Sequence, residues 1–326
     1  MAQILFLTQN ATDACSFYRA AGIIPDLQRK TNDTLTLAQW SQLEINWSII
    51  LQYDIIFFQR PTGKMALDLC QYIKSCNRQL WIDYDDNLLC VPPENRAHWI
   101  YDKPEVQESI KKILALADVV SVTTEDLKQS FIEWNKNIEV IPNAFNDSVF
   151  KRGILPKRSN LVAWRGTDTH VWDLMKYGKS ISKATLEHPE KQFLYIGYSP
   201  WFMPVSDNQS TIEEMDLIKY FGFVYKMAPL VVHVPLVDEL FNRCKSNIAA
   251  LEGSYFGAAC VVPDFWDIPG TLKYKTEDDY YNALKDLLSG QADREILNKI
   301  AWEYIQDTLM LSKINVLRLN LINSLI

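Results

Sequence analysis

Histidine is scarce in this chain, with four in 326 residues, and the six cysteines (Cys15, Cys70, Cys76, Cys90, Cys244 and Cys260) show neither Cys-x-x-Cys spacing nor paired clusters. These features argue against a His-rich metal centre or a disulfide framework and for reduced thiols in a cytoplasmic protein. Basic charge is in deficit: 33 Lys and Arg against 40 Asp and Glu leave a net charge of −7, the wrong sign for coating nucleic acid wholesale. No apolar run reaches the roughly 18 to 20 residues that cross a bilayer. The segment Met1 to Thr8 lacks a basic lead and a small-residue cleavage site, so it reads as a first buried strand rather than a signal peptide. None of the 11 glycines falls in a Gly-x-Gly-x-x-Gly, Walker or Gly-x-Ser-x-Gly pattern. Dinucleotide-cofactor, P-loop and serine-hydrolase readings thereby lose their main support.

What is present is a double α/β series. Hydrophobic residues at 48% and aromatics at 12% supply enough bulk for two cores. Short apolar runs without alternation, suited to parallel sheets covered on both faces, predict strands at 4–8, 54–59, 79–83, 119–123 and 138–141. Helices are expected between them at 16–29, 64–76, 104–117 and 125–135. A polar stretch then breaks the pattern, and a second series follows. Its expected strands are 160–164, 192–198, near 220–224, 231–235 and 259–263, with helices at 170–186, 245–255 and 277–288. The expected division is a first Rossmann-like domain over 1–146, a linker over 147–159 and a second such domain over 160–299, with helical residues 300–326 returning onto the first. Two such sheets leave a crevice at the carboxyl ends of their strands, the default ligand site.

Several segments carry chemistry. Asn242 to Glu252 opens an expected helix with Arg243, Lys245, Ser246 and Asn247, where backbone N–H groups and cations suit a diphosphate. Glu252, seven positions after Lys245, would share its helical face and accept from ribose hydroxyls. Leu161 to Leu174 ends a strand in Trp164-Arg165-Gly166. There Gly166 allows close approach to a phosphate, Arg165 neutralises it, and His170 caps the helix or contacts the ligand. The acidic strand end at Asp83, Asp85 and Asp86 contains a D-x-D, elsewhere a divalent-ion motif; here Asp85 or Asp86 would orient an acceptor hydroxyl or assist proton removal, or merely cap a loop. Ser16, Tyr18 and Arg19 after the first strand, and His98 after a proline pair, are acceptor-side candidates, with capping, solvated side chains and loop packing as the structural alternatives.

The run FNRCKSNIAALEGSYFGAACVVPD resembles the donor-binding motif of family 4-type retaining glycosyltransferases of the GT-B fold, particularly compact bacterial and phage forms. Glu252 matches the second, ribose-binding Glu of that family's Glu-x7-Glu motif, while the first falls at Cys244, a departure. LVAWRGTDTHVWDL and the Ala117–Asn146 segment resemble further parts of these enzymes in the family's order. The resemblance implies two Rossmann-like domains facing across a cleft. It also implies transfer of a hexose or pentose from a nucleoside-diphosphate sugar, a UDP-sugar foremost, to a hydroxyl, with retention and no obligatory cofactor or metal. Arg165 and Lys245 would stabilise the departing diphosphate. A hydroxymethylated base in phage DNA, or a sugar on one, is one implied acceptor, with Lys151, Arg152, Lys157 and Arg158 as the densest basic cluster. A cell-surface glycan or a protein hydroxyl is the alternative. A nucleotide-sugar-binding protein without catalysis and a GT-B epimerase or phosphorylase are the competing functions.

Overall fold

In a computed structural model, which describes residues 1–43 and 46–326, the apolar runs assemble into two six-stranded sheets, parallel throughout. The first contains β1 (Gln3–Thr8), β2 (Thr34–Gln39), β3 (Ile55–Gln59), β4 (Gln79–Tyr84), β5 (Val119–Val122) and β6 (Ile138–Val140) in the order β2-β1-β3-β4-β5-β6. Its helices are α1 (Ala14–Arg19), α2 (Ile24–Gln28), α3 (Gly63–Ser75), α4 (His98–Tyr101), α5 (Pro104–Leu116) and α6 (Glu125–Phe131). The second sheet holds β7 (Leu161–Arg165), β8 (Gln192–Ile196), β9 (Gln209–Ile212), β10 (Val231–His233), β11 (Ala259–Pro263) and β12 (Leu272–Tyr274). Their order is β12-β11-β10-β7-β8-β9, with the reversal of winding between β7 and β10. Around it lie α7 (Val171–Glu187), α8 (Leu217–Met227), α9 (Leu240–Arg243), α10 (Ile248–Tyr255), α11 (Glu277–Ser289), α12 (Arg294–Thr308) and α13 (Leu311–Leu325).

Four local expectations change. The strand expected near 220–224 is part of α8: Leu217, Tyr220, Phe221 and Val224 recur at helical spacing and are buried, and Asp216 caps the helix by accepting from Lys219 N. The single helix at 16–29 is two, because Ala20 leaves helical geometry and Pro25 then starts α2. β2 was not anticipated, since this edge strand is half exposed and has no continuous apolar run. Finally, α10 begins at Ile248, so Lys245, Ser246 and Asn247 lie in the turn before it.

The halves are stitched together. Phe145, after β6, stacks on Tyr255 of α10 at 3.4 Å between ring centroids, and Phe221 and Phe256 complete a buried aromatic cluster. Phe145 also exchanges backbone hydrogen bonds with Leu309 and Leu311, which fixes the start of α13. From there α13 lies on α2, where Asn315 Nδ2 donates to Asp26 Oδ2 at 2.8 Å and Lys30 Nζ to Ser312 O at 2.7 Å. Among the described residues no helix is long and apolar enough to cross a membrane.

Candidate active site

The carboxyl ends of both sheets converge on a cavity of about 290 Å³. On the second sheet it opens at the β7/β10 reversal, where parallel α/β sheets part their loops and admit ligands. The backbone there is bare by necessity. A Cβ on Gly166 would collide with the Trp164 indole, and one on Gly197, at φ +97°, would sit 2.5 Å from Gly166 O. Gly166 N donates to Ile196 O at 3.0 Å, so the ends of β7 and β8 are held side by side.

Arg165 points from the end of β7 into this space. Its Nη1 donates to Glu252 Oε2 at 2.7 Å, and its guanidinium lies 4.5 Å from the centre of the Tyr220 ring. Burial alone would lower its basicity, but Glu252, Tyr220 and Tyr18 together hold it well above the ordinary value. Tyr18, reaching across from α1, donates to the other oxygen, Glu252 Oε1, at 2.5 Å. Glu252 is fully buried and absent from the cavity lining. Both of its oxygens are engaged, one by each half of the protein, behind the cavity wall rather than on it. The shared helical face with Lys245 fails, because Lys245 precedes α10.

Lys245 lies in the cavity wall, its Nζ 3.5 Å from Asp86 Oδ1 and 4.4 Å from the centre of the Phe241 ring. Ser246 beside it accepts from Asn143 Nδ2 at 2.9 Å. His170, just ahead of α7, faces the cavity with Nδ1 3.1 Å from Asp173 Oδ2. Opposite, Asp85 and Asp86 follow β4 beside Arg60, which is held at φ +50°. Arg60 Nε is 3.1 Å from Asp85 Oδ1, yet that oxygen accepts no hydrogen bond, because the pair is poorly aligned. Burial pushes Asp85 above the ordinary carboxylate value; Arg60 opposes this, and the charges of Asp86 and Asp83 add to it. Burial would raise Asp86 too, but Lys245, Arg60 and His170 hold it below that value.

Five other candidates do not reach the cavity. Arg19 is buried and clamps Asp83 with two hydrogen bonds, of 3.0 and 2.6 Å, so neither the acceptor contact nor a D-x-D metal pair forms there. Ser16 is fully buried. His98 is held in its own loop by Val91 O at 2.8 Å and by Asp102. Arg243 turns outward onto Asp238 at 2.5 and 2.9 Å, and Asn247 is the N-cap residue of α10 without a side-chain capping bond. Cys244, where the family motif has its first Glu, is buried against the first half: Asn87 Nδ2 is 3.6 Å and Ser130 Oγ 3.5 Å from its Sγ, and Thr124 Oγ1 donates to its carbonyl. A carboxylate there would be sunk in the interdomain contact. Arg60, Asn143, Glu214, Tyr220 and Trp266 also contribute to this region and were not anticipated. Arg60 and Glu214 follow expected or unexpected strand ends, a position that flags them; Tyr220 was hidden by the misread helix α8.

Two doubly wound sheets meeting carboxyl end to carboxyl end across a ligand-sized cavity define the GT-B fold. The comparisons with solved structures agree. An α,α-trehalose-phosphate synthase (UDP-forming) from Burkholderia vietnamiensis aligns over 99% of this chain and 96% of its own, at TM-score 0.63 and 11% identity. A protein assigned as a UDP-N-acetylglucosamine 2-epimerase from Listeria monocytogenes aligns over 92% and 91%, at TM-score 0.57 and 13% identity. TarM of S. aureus, solved in complex with fondaparinux, α-GlcNAc-glycerol and UDP, aligns over 82% of this chain and 55% of its own, at TM-score 0.61 and 13% identity. No protein-family model and no curated protein sequence matches the chain.

Proposed function

We propose that the protein is a glycosyltransferase that moves a hexosyl or pentosyl group from a nucleoside-diphosphate sugar, a UDP-sugar foremost, to a hydroxyl acceptor. The observation that carries this reading is the make-up of the cavity. Bare backbone at Gly166 and Gly197 adjoins the cations Arg165 and Lys245 on one side, and Asp85 and Asp86 face them from the other. A diphosphate needs the first set and an acceptor hydroxyl the second. Among the described residues only Nη1 of the Arg165 guanidinium carries a hydrogen bond, which leaves donors for phosphate oxygens. Lys245 would exchange Asp86 for the ligand, and Ser246 would add a hydroxyl. The proteins of similar fold include a UDP-forming synthase, a protein assigned as a UDP-N-acetylglucosamine 2-epimerase, and TarM in complex with UDP, which favours the same donor.

Retention is supported by the state of the carboxylates. Asp86 is occupied by Lys245 and Arg60, and Asp85 lies against Arg60, so both carboxylates face cations rather than standing free to take an acceptor proton. In that course the departing diphosphate takes the acceptor proton on the face it leaves. For the acceptor, a glycan or protein hydroxyl suits better than phage DNA. Of the four linker cations, Arg152 stacks 4.0 Å from the centre of the Trp302 ring and Arg158 donates to Phe256 O, so half of the proposed DNA-binding cluster is engaged internally. The six free cysteines fit a reducing cytoplasm. The boundaries 1–146, 147–159 and 160–299 are retained as the acceptor-side, linker and donor-side parts.

The test is a thermal-shift screen of nucleoside-diphosphate sugars, then product analysis by proton NMR, where the anomeric coupling reads the stereochemistry. The reading requires at least one donor to stabilise the protein and to be turned over. Stabilisation without turnover against glycan, protein and DNA acceptors, and without donor hydrolysis, would instead establish a binding protein.

A further inference from the structure

The side chain that ties together the two segments facing the proposed phosphate site is Asp173, which no part of the reading above uses. It lies in the first turn of α7 and is nearly inaccessible, at 4% exposure. Its Oδ1 accepts from Val237 N and from Asn242 Nδ2, each at 2.8 Å, so the loop after β10 and helix α9 hang on it. Its Oδ2 faces His170 Nδ1 at 3.1 Å. A buried carboxylate with partners on both oxygens is held in one orientation. An imidazole whose Nδ1 is bound to such a carboxylate has its rotation and tautomer set, and only Nε2 remains to act.

The surroundings of His170 are anionic. Asp173 is on its own helix, Asp86 acts on it from the first half, and Asp168 lies in the preceding turn, where Arg96 partly offsets it. Glu239 adds to the negative field at Asp173, its own carboxyl being pushed up to about 7 by burial and by the charges of Asp173 and Glu94. Lys245 supplies the nearby opposing charge, through Asp86 and Glu239. With Nδ1–H directed at Asp173, Nε2 donates to a diphosphate arriving beside Lys245 only while the ring carries both protons. Arg165 and Lys245 are already oriented by Glu252 and Asp86; among the described residues His170 is the remaining basic side chain in the cavity lining.

We propose that His170, positioned by Asp173, donates a hydrogen bond from Nε2 to the departing diphosphate, and that Asp173 is a positioning residue for the reaction. The inference rests on the glycosyl-transfer reading. As the anomeric C–O bond to the diphosphate breaks, its electron pair goes to the phosphate oxygen. The acceptor oxygen forms its bond to the anomeric carbon, and the acceptor proton passes to the diphosphate. His170 keeps its own proton throughout and stabilises the charge that collects on the leaving oxygen.

The test compares His170→Gln, Asp173→Asn and the unaltered protein with two donors: the UDP-sugar and the matching glycosyl fluoride supplied with UDP, whose leaving group needs less help. His170→Gln is expected to lower kcat on the UDP-sugar roughly 10²–10³-fold, the loss typical of one preorganised donor to a developing anion. Its loss on the fluoride should be under tenfold. Asp173→Asn should cost about 10–100-fold and move the alkaline limb of the pH–kcat profile to lower pH, because the protonated ring loses its counter-charge, a change that a purely structural role would not make. His98→Gln, outside the cavity, controls for loss of a histidine. Turnover of the UDP-sugar by His170→Gln within threefold of the unaltered protein, or an equal loss on both donors, overturns this role and leaves glycosyl transfer standing. Absence of turnover in the unaltered protein removes both.

Discussion

Replacing Glu252 by Gln tests whether this carboxylate holds the cavity together or waits for a ligand. In the structure it is fully buried, with Arg165 Nη1 at 2.7 Å on one oxygen and Tyr18 OH at 2.5 Å on the other. Gln keeps the shape but removes the charge, leaving Arg165 over Tyr220 without its counter-ion. Breaking a buried pair by neutralising one partner costs about 3–5 kcal/mol. Because the Arg165 side chain is 27% exposed and partly screened, the lower end applies, about 3 kcal/mol. For a chain of this size that lowers Tm by roughly 4–5 °C in the absence of any ligand. Tyr18→Phe removes a charge-assisted hydrogen bond, costing about 1.5–3 kcal/mol. The double variant should cost less than the sum of the two, since both act on one carboxylate. Calorimetry of the ligand-free protein provides the measurement. An unchanged Tm for Glu252→Gln, coupled with weaker UDP binding, would refute the reasoning and restore Glu252 as a ribose ligand.

Three further outcomes are expected. Lys245→Ala should weaken UDP binding by isothermal calorimetry roughly tenfold or more, the worth of one charged contact, while Arg60 still balances Asp86; unchanged affinity would displace the diphosphate site. Gly197→Ala forces a Cβ onto Gly166 O at positive φ, so expression or thermal stability should fall together with nucleotide binding, and normal behaviour in both would show that the close approach is not required. His233 is buried, with Nδ1 2.6 Å from Tyr280 OH, and burial lowers its pKa to about 3. The unfolded chain, at about 6.5, takes up the proton first, so stability is whole above that pH and falls toward pH 3 by at most about 1.4 kcal/mol per unit. Chemical denaturation of His233→Gln should show a shallower slope across that window than the parent, and equal slopes would exclude the histidine as the cause.

The local sequence determines much of this protein. Continuous apolar runs at Ile55–Gln59, Val119–Val122 and Ala259–Pro263 could be buried only in a sheet covered on both faces, and strand followed by helix made that sheet parallel. Gly166 and the Asp85–Asp86 pair were visible because they stand just beyond strand ends, where loops meet a ligand, and Lys245 because it stands just ahead of a helix. The tertiary structure decided which charges face each other. Arg19, the last residue of α1, and Arg165, the last of β7, carry the same side chain, but one clamps buried Asp83 and the other enters the cavity over buried Glu252. The engagement of Glu252 inside the protein depends on Tyr18, 234 positions away in sequence. The roles of Cys244 and Asp173 likewise depend on partners from other segments. Periodicity records which side of an element is covered; a carboxylate's role is set by the donors that folding brings to it, and those come from anywhere in the chain.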